Sequence, residues 1–329
     1  MGVKGLFKLL KDNASSAIRD TNIAEIAKWR VGIDASMMIY QMYAVGESVE
    51  LKNTKGENIN HILGTFQRLT SLLSAGVMPL VVFDGPPPQA KASVLAKRKE
   101  IRDNGKAIRI PSKAFDEVRQ LCRLIGVPNV DAPGEAEYYM VQLSHAGILN
   151  AVATEDMDVL AMGVTHMIRG LGSGKKITII RTIDVAKELG IDLDQFRDLC
   201  ILLGTDYTTE TLTRVGPKTA LKLIKKHKTI ENIISNEGKK SPKGFTYKIA
   251  RELLTTRVER IPVRNPVDQL YNSIYDNVFD KRLIDSDCIL PKKLTSDDIK
   301  NLREFLNKHD LNSSRVNTTI KKLEKHYKL

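Results

Sequence analysis

Leu80-Val81-Val82-Phe83-Asp84 is an unbroken apolar run closed by a carboxylate. Four apolar residues in succession, two of them β-branched, read as a short strand buried in a core. The same form recurs upstream, where Val31-Gly32-Ile33 ends in Asp34. It recurs again downstream, where Ala151-Val152-Ala153-Thr154 runs into Glu155-Asp156-Met157-Asp158. Strands are expected at 30–33, 78–83, 150–153, 166–168 and 176–180. Apolar residues at helical spacing predict helices over 59–75, 112–125, 135–146 and 182–189. This alternation predicts an α/β fold with a central, mostly parallel sheet flanked by helices. Side chains just past the carboxyl ends of parallel strands gather along one edge, so acids remote in sequence are expected to share one site.

Two further acidic groups are candidates for that edge. Asp131-Ala132-Pro133-Gly134-Glu135-Ala136-Glu137 puts two acids in the first turn of a helix, and Leu202-Leu203-Gly204-Thr205-Asp206 closes a helical run with another. So many carboxylates together repel one another and raise their own pKa values unless a countercharge is present. Mg²⁺ is such a countercharge, since it takes oxygen ligands and keeps several waters. Two ions of this kind stabilise the attacking and leaving oxygens of a phosphodiester displacement. Read singly, Asp34 or Asp84 is as readily a turn residue or helix cap, and Glu135 and Glu137 as readily complement a helix dipole.

Lysine and arginine outnumber the acids 51 to 39, a net charge of +12, which suits a polyanionic partner. Cys122, Cys200 and Cys288 lie far apart with no CxxC pair, which argues against a disulfide framework or zinc site. Apolar runs are too short to cross a bilayer and the amino terminus has no signal-peptide core, so a soluble, intracellular protein with no membrane partner is expected. From Leu193 onward strand signals fade into short lysine-rich helices. A core over 1–206 followed by a helical region over 207–329 is therefore expected.

Six motifs then appear in order: MGVKGL at 1–6, VGIDASMMIY at 31–40, VFDGPP at 82–87, DAPGEAE at 131–137, ATEDMD at 153–158 and LGTDY at 203–207. Together they resemble the XPG-type structure-specific 5′ nucleases, and SSAIR at 15–19 resembles the flap endonuclease branch in particular. The resemblance implies a PIN-like nuclease core and hydrolysis of branched DNA at the base of a 5′ flap, with exonuclease activity beside it, in replication and repair. It implies two Mg²⁺ ions, with Mn²⁺ as a substitute, on Asp34, Asp84, Glu135, Glu137, Asp156, Asp158 and Asp206. Asp34, Asp84 and Asp156 are catalytic on this reading, as are Lys91 and Arg98, which match the family's basic pair at the scissile phosphate. Tyr40 matches an aromatic that stacks on a base, against the alternative of a core tyrosine. Gly2 matches a residue beside the metals.

A helix–two-turn–helix module is expected at about 207–236. In Val215-Gly216-Pro217-Lys218-Thr219, a turn opening a helix presents backbone N–H groups to phosphate, so Gly216, Lys218 and Thr219 are candidate contacts with uncut duplex. The family's hairpin has two glycines and often a monovalent cation; Arg214 replaces the first glycine, which leaves cation binding open. The arch segment, about 88–115, is shorter than in the family, with Gly105 interrupting it. Arg102 and Arg109, with Lys99 and Lys106, remain there to guide single-stranded DNA. A reduced cap and weaker discrimination for free 5′ ends are expected.

The chain ends Lys325-His326-Tyr327-Lys328-Leu329, without the glutamine-plus-aromatic motif that docks eukaryotic members on the sliding clamp, so clamp binding is doubtful. A monomer is expected, in the nucleus or, for a viral member, at the site of viral DNA replication. Other classes remain open at this point. An inactive architectural DNA-binding protein should have lost some of these acids, and a small-substrate phosphatase would not need the lysine-rich region after Asp206. A 5′ exonuclease or junction resolvase stays open because of the short arch.

Overall fold

The computed structural model describes residues 2–46, 51–86, 110–172, 176–238, 240–259 and 292–329. Among these, seven strands form one sheet: β1 (Ile18–Asn22), β2 (Arg30–Asp34), β3 (Met78–Phe83), β4 (Asn129–Asp131), β5 (Ala151–Ala153), β6 (His166–Arg169) and β7 (Lys176–Arg181). Their order is β1-β7-β6-β5-β2-β3-β4. From β6 to β4 every pairing is parallel, while β7 runs antiparallel to both β6 and β1.

The expected mostly parallel sheet is therefore present, with an antiparallel extension at one edge. Both strands absent from the sequence reading are edge strands. β1 (IRDTN) is nearly all polar, and β4 is three residues long, so neither carries an apolar run.

Residues on β3 alternate between the two faces. Leu80 and Val82 enter one apolar core, Val81 and Phe83 the other. The first core is covered by α1 (Leu6–Asn13), α5 (Ala136–His145), α6 (Asp158–Ala161), α7 (Thr182–Leu189) and α8 (Leu193–Leu203). The second is covered by α2 (Ala35–Gly46), α3 (Asn60–Ser74) and α4 (Ser112–Leu124). Residues 112–115, assigned to the end of the arch from sequence, open α4, whose Ala114 is fully buried in this second core. Gly32 lets the first layer close on β2: a Cβ there would meet Leu149 Cδ1 at 2.7 Å and Met140 Sδ at 2.8 Å.

Past Asp206 the chain builds α9 (Pro217–His227), α10 (Ile230–Asn236) and α11 (Tyr247–Glu259), which extend the first core beside α8. Arg251 binds this group together, donating to buried Asp198 at 2.7 and 2.8 Å and to Glu231 at 2.8 and 3.0 Å. The last helices, α12 (Ser296–Lys308) and α13 (Ser314–Tyr327), return to the opposite face of the sheet, where they pack on α4 and α3. Among the described residues, no helix is long and apolar enough to cross a membrane.

Candidate active site

Because β5, β2 and β3 are parallel neighbours, their carboxyl ends open on one edge. Asp34 closes β2, Asp84 follows β3, and Asp156 and Asp158 follow β5. The amino terminus of α5 meets the same edge, where Ala136 N–H donates to Asp84 Oδ1 at 2.9 Å. Ser36 Oγ donates to the other Asp84 oxygen at 2.5 Å. From the β5 side, Thr154 Oγ1 donates to Glu137 at 2.8 Å and accepts from Asp156 N–H at 3.0 Å. Asp158 N–H donates to Asp156 Oδ1, and Asp206 N–H to Asp158 Oδ2, both at 3.0 Å. Tyr207 OH reaches Glu135 at 3.1 Å. All seven acids singled out in the sequence thus meet at one edge of the sheet, drawn from five separate segments.

Asp34, Asp156 and Asp158 are buried. Burial, reinforced by the nearby Asp84 charge and more weakly by Asp156, pushes Asp34 up to about 7, against the pull of the Met37 and Ser36 backbone N–H groups. Burial and Glu135 push the Tyr207 phenol well above its ordinary range, which keeps it a neutral donor.

The residues fit divalent cations. Their donors are all carboxylate oxygens, the atoms that hard divalent cations prefer, and Asp34, raised chiefly by burial, also feels the charges of Asp84 and Asp156. Among the described residues, no three His, Cys, Asp or Glu side chains form a ready-made metal cage. Gly2, at φ +77°, lies directly against the acids: a Cβ would meet Asp156 Oδ1 at 2.0 Å and Asp158 Oδ1 at 2.8 Å.

The DNA-contact candidates divide. Tyr40 on α2 is 42% exposed, unlike buried Tyr43, so it is not the core tyrosine of the alternative reading. Gly216 caps α9, and Lys218 and Thr219 are exposed in its first turn. Arg214 takes φ 59°, the left-handed conformation that suits glycine. Lys91, Arg98, Arg102 and Arg109 lie outside the described residues, as do Lys99, Gly105 and Lys106. Ser36, Thr154 and Tyr207 were not singled out from sequence. Each stands within two residues of a candidate acid, but nothing local says that its hydroxyl serves a carboxylate.

Models of known families match at two places: the XPG N-terminal domain over residues 1–105 and the XPG I-region over residues 126–206. Flap endonuclease 1-B of Xenopus laevis is 40% identical over 283 residues, 77% of this chain and 74% of the frog protein. Flap endonuclease 1 of Ostreococcus tauri is 41% identical over 284 residues, covering 77% and 73%. Flap endonuclease 1 of Homo sapiens is 40% identical over 261 residues, covering 71% and 68%. Solved structures share the fold, among them the following two. Flap endonuclease-1 from Methanococcus jannaschii has a TM-score of 0.69 at 21% identity, covering 94% of this chain and 96% of that one. The catalytic core of Rad2 in complex with DNA substrate has a TM-score of 0.66 at 24% identity, covering 99% and 98%.

Proposed function

This chain belongs to the XPG-type nucleases, in their flap endonuclease branch, and we propose that it hydrolyses branched DNA at the base of a 5′ flap. The observation that carries the reading is the edge of seven carboxylates linked through Ser36, Thr154, Tyr207 and the backbone. Asp34, Asp84, Glu135 and Glu137 would hold one Mg²⁺ and Asp156, Asp158 and Asp206 a second, supplying Lewis-acid activation of water and charge stabilisation at the scissile phosphate. Water adds to phosphorus and the P–O3′ bond breaks, leaving a 5′-phosphate and a 3′-hydroxyl. Mn²⁺ should substitute, because it accepts the same oxygen donors.

The chain's own groups supply position and charge. Lys91 and Arg98 offer cations to the reacting phosphate. Tyr40, exposed on α2, presents a ring for a base beside the cut. The N–H groups opening α9, with Lys218, grip a phosphate of the uncut duplex, and Thr219 adds a hydroxyl. Arg102 and Arg109 attract the single strand. A monovalent cation at the hairpin before α9 is a lesser part of the proposal, because Arg214 stands where the family has glycine. A monomer suffices, because one acidic edge serves one junction.

Cleavage of an end-labelled flap substrate with Mg²⁺, beside Asp156→Ala, tests this reading. Cutting at the flap base that the substitution abolishes supports it. Binding without cutting would leave a junction-recognition protein. Flaps with blocked 5′ ends, in the same assay, are expected to be cut nearly as fast as free ones.

A further inference from the structure

Arg169 lies outside the acid network yet touches two segments that bear on it, the Glu155 turn and α1. It ends β6, beside the turn that follows β5, where Thr154 N–H donates to Ile168 O at 3.1 Å. Its guanidinium donates to Glu155 Oε2 from Nε at 3.0 Å and from Nη2 at 2.8 Å. Gly170 N–H holds the other Glu155 oxygen at 2.7 Å. The same guanidinium lies 4.2 Å from the centre of the Phe7 ring on α1.

Each partner is close in sequence to the acid cluster. Glu155 immediately precedes Asp156. Phe7 stands in the first turn of the helix that Gly2 leads into, and Gly2 lies against Asp156 and Asp158. A planar guanidinium can give a carboxylate two N–H groups while its face rests on a ring, which a lysine ammonium cannot do. The pairing also compensates a further carboxylate next to Asp156.

We propose that Arg169 is a positioning residue that locks α1, through Phe7, to the Glu155 turn, so that Gly2, Asp156 and Asp158 keep one mutual geometry. The proposal rests on the nuclease reading, and its test separates the two. Arg169→Gln, Arg169→Lys, Phe7→Leu and Phe7→Tyr, with the Phe7→Leu/Arg169→Gln double variant, are made in the full chain. For each, kcat and KM on a flap substrate, the melting temperature, and Mn²⁺ binding without DNA by electron paramagnetic resonance are measured.

Partners that orient metal ligands typically matter by roughly 10–100-fold in affinity or rate, and a loss of that order in kcat and Mn²⁺ affinity is expected for Arg169→Gln, with KM unchanged. Arg169→Lys should not restore it. Phe7→Tyr should keep activity that Phe7→Leu loses, and the double variant should lose less than the product of the single losses. Wild-type kcat and Mn²⁺ affinity in Arg169→Gln would overturn the proposal. A loss that merely follows the unfolded fraction would also overturn it. If the wild-type chain fails to cut, the nuclease reading falls, and Mn²⁺ binding still decides the role of Arg169.

Discussion

Gly2 and Arg214 put opposite demands on a side chain. At Gly2, a Cβ would collide with Asp156 Oδ1 at 2.0 Å, and φ is +77°. Gly2→Ala should therefore displace the turn that carries Asp156 and Asp158, cutting kcat by roughly 10–100-fold while DNA affinity in Ca²⁺ is retained. Arg214 holds a left-handed φ of 59° without being glycine. A non-glycine residue there costs about 1–2 kcal/mol, partly offset by glycine's greater entropy when unfolded. Arg214→Gly is expected to stabilise by roughly 0.5–1 kcal/mol in urea denaturation.

Asp34 makes the metal-free protein sensitive to pH. Its folded pKa is raised from 3.8 to about 7, chiefly by burial and then by Asp84. The unfolded chain therefore ionises this group first, and the folded state loses stability as pH rises from about 4 to about 7. Below that window Asp34 is protonated in both states and exerts no such effect. Melting temperatures in EDTA should fall across the window in the wild type, and the fall should be smaller in Asp34→Asn.

At the level of elements, α11 is fastened to α8 and α10 by charge as well as by apolar packing. Asp198 on α8 is 3% exposed and accepts from Arg251 and from Ile230 N–H. Removing the cation would strand a buried carboxylate, which costs about 3–5 kcal/mol for a fully buried pair. Arg251 is about a third exposed, so Arg251→Ala should cost less, roughly 2–3 kcal/mol in denaturant unfolding. Cleavage at saturating substrate should survive this change better than duplex affinity does, since α9 belongs to the same helical group.

The whole molecule is closed by chain from its far end. Val316, Ile320 and Leu323 of α13 are buried in the core that also contains Phe66 of α3 and Val118 of α4. Tyr327 OH adds a hydrogen bond to Ile125 O at 3.0 Å, 202 residues away in sequence. The carboxyl-terminal helices thus cover the nuclease sheet. Leu323→Ala should cost about 2–5 kcal/mol and lower the temperature at which cleavage is lost, although no part of α13 approaches the acids in sequence.

Local pattern determines much of this protein without reference to any tertiary contact. Runs such as Leu80–Phe83 and Val31–Ile33 specify buried strands because their burial and their β-branched shapes are properties of neighbours in sequence. The carboxylates follow those strands at once, so the edge they share was legible, as was the helix that starts after Glu135. Tertiary structure alone placed β1 and β4, whose few and mostly polar residues are strands only because β7 and β3 offer them hydrogen bonds. It alone assigned Ser36, Thr154 and Tyr207 to the acids, and Arg169 to Phe7 and Glu155, because those partners meet only when strand order brings distant segments together. The return of α12 and α13 to the opposite face was likewise unreadable. Their amphipathic pattern states that an apolar face must be buried, and only the assembled core states against what.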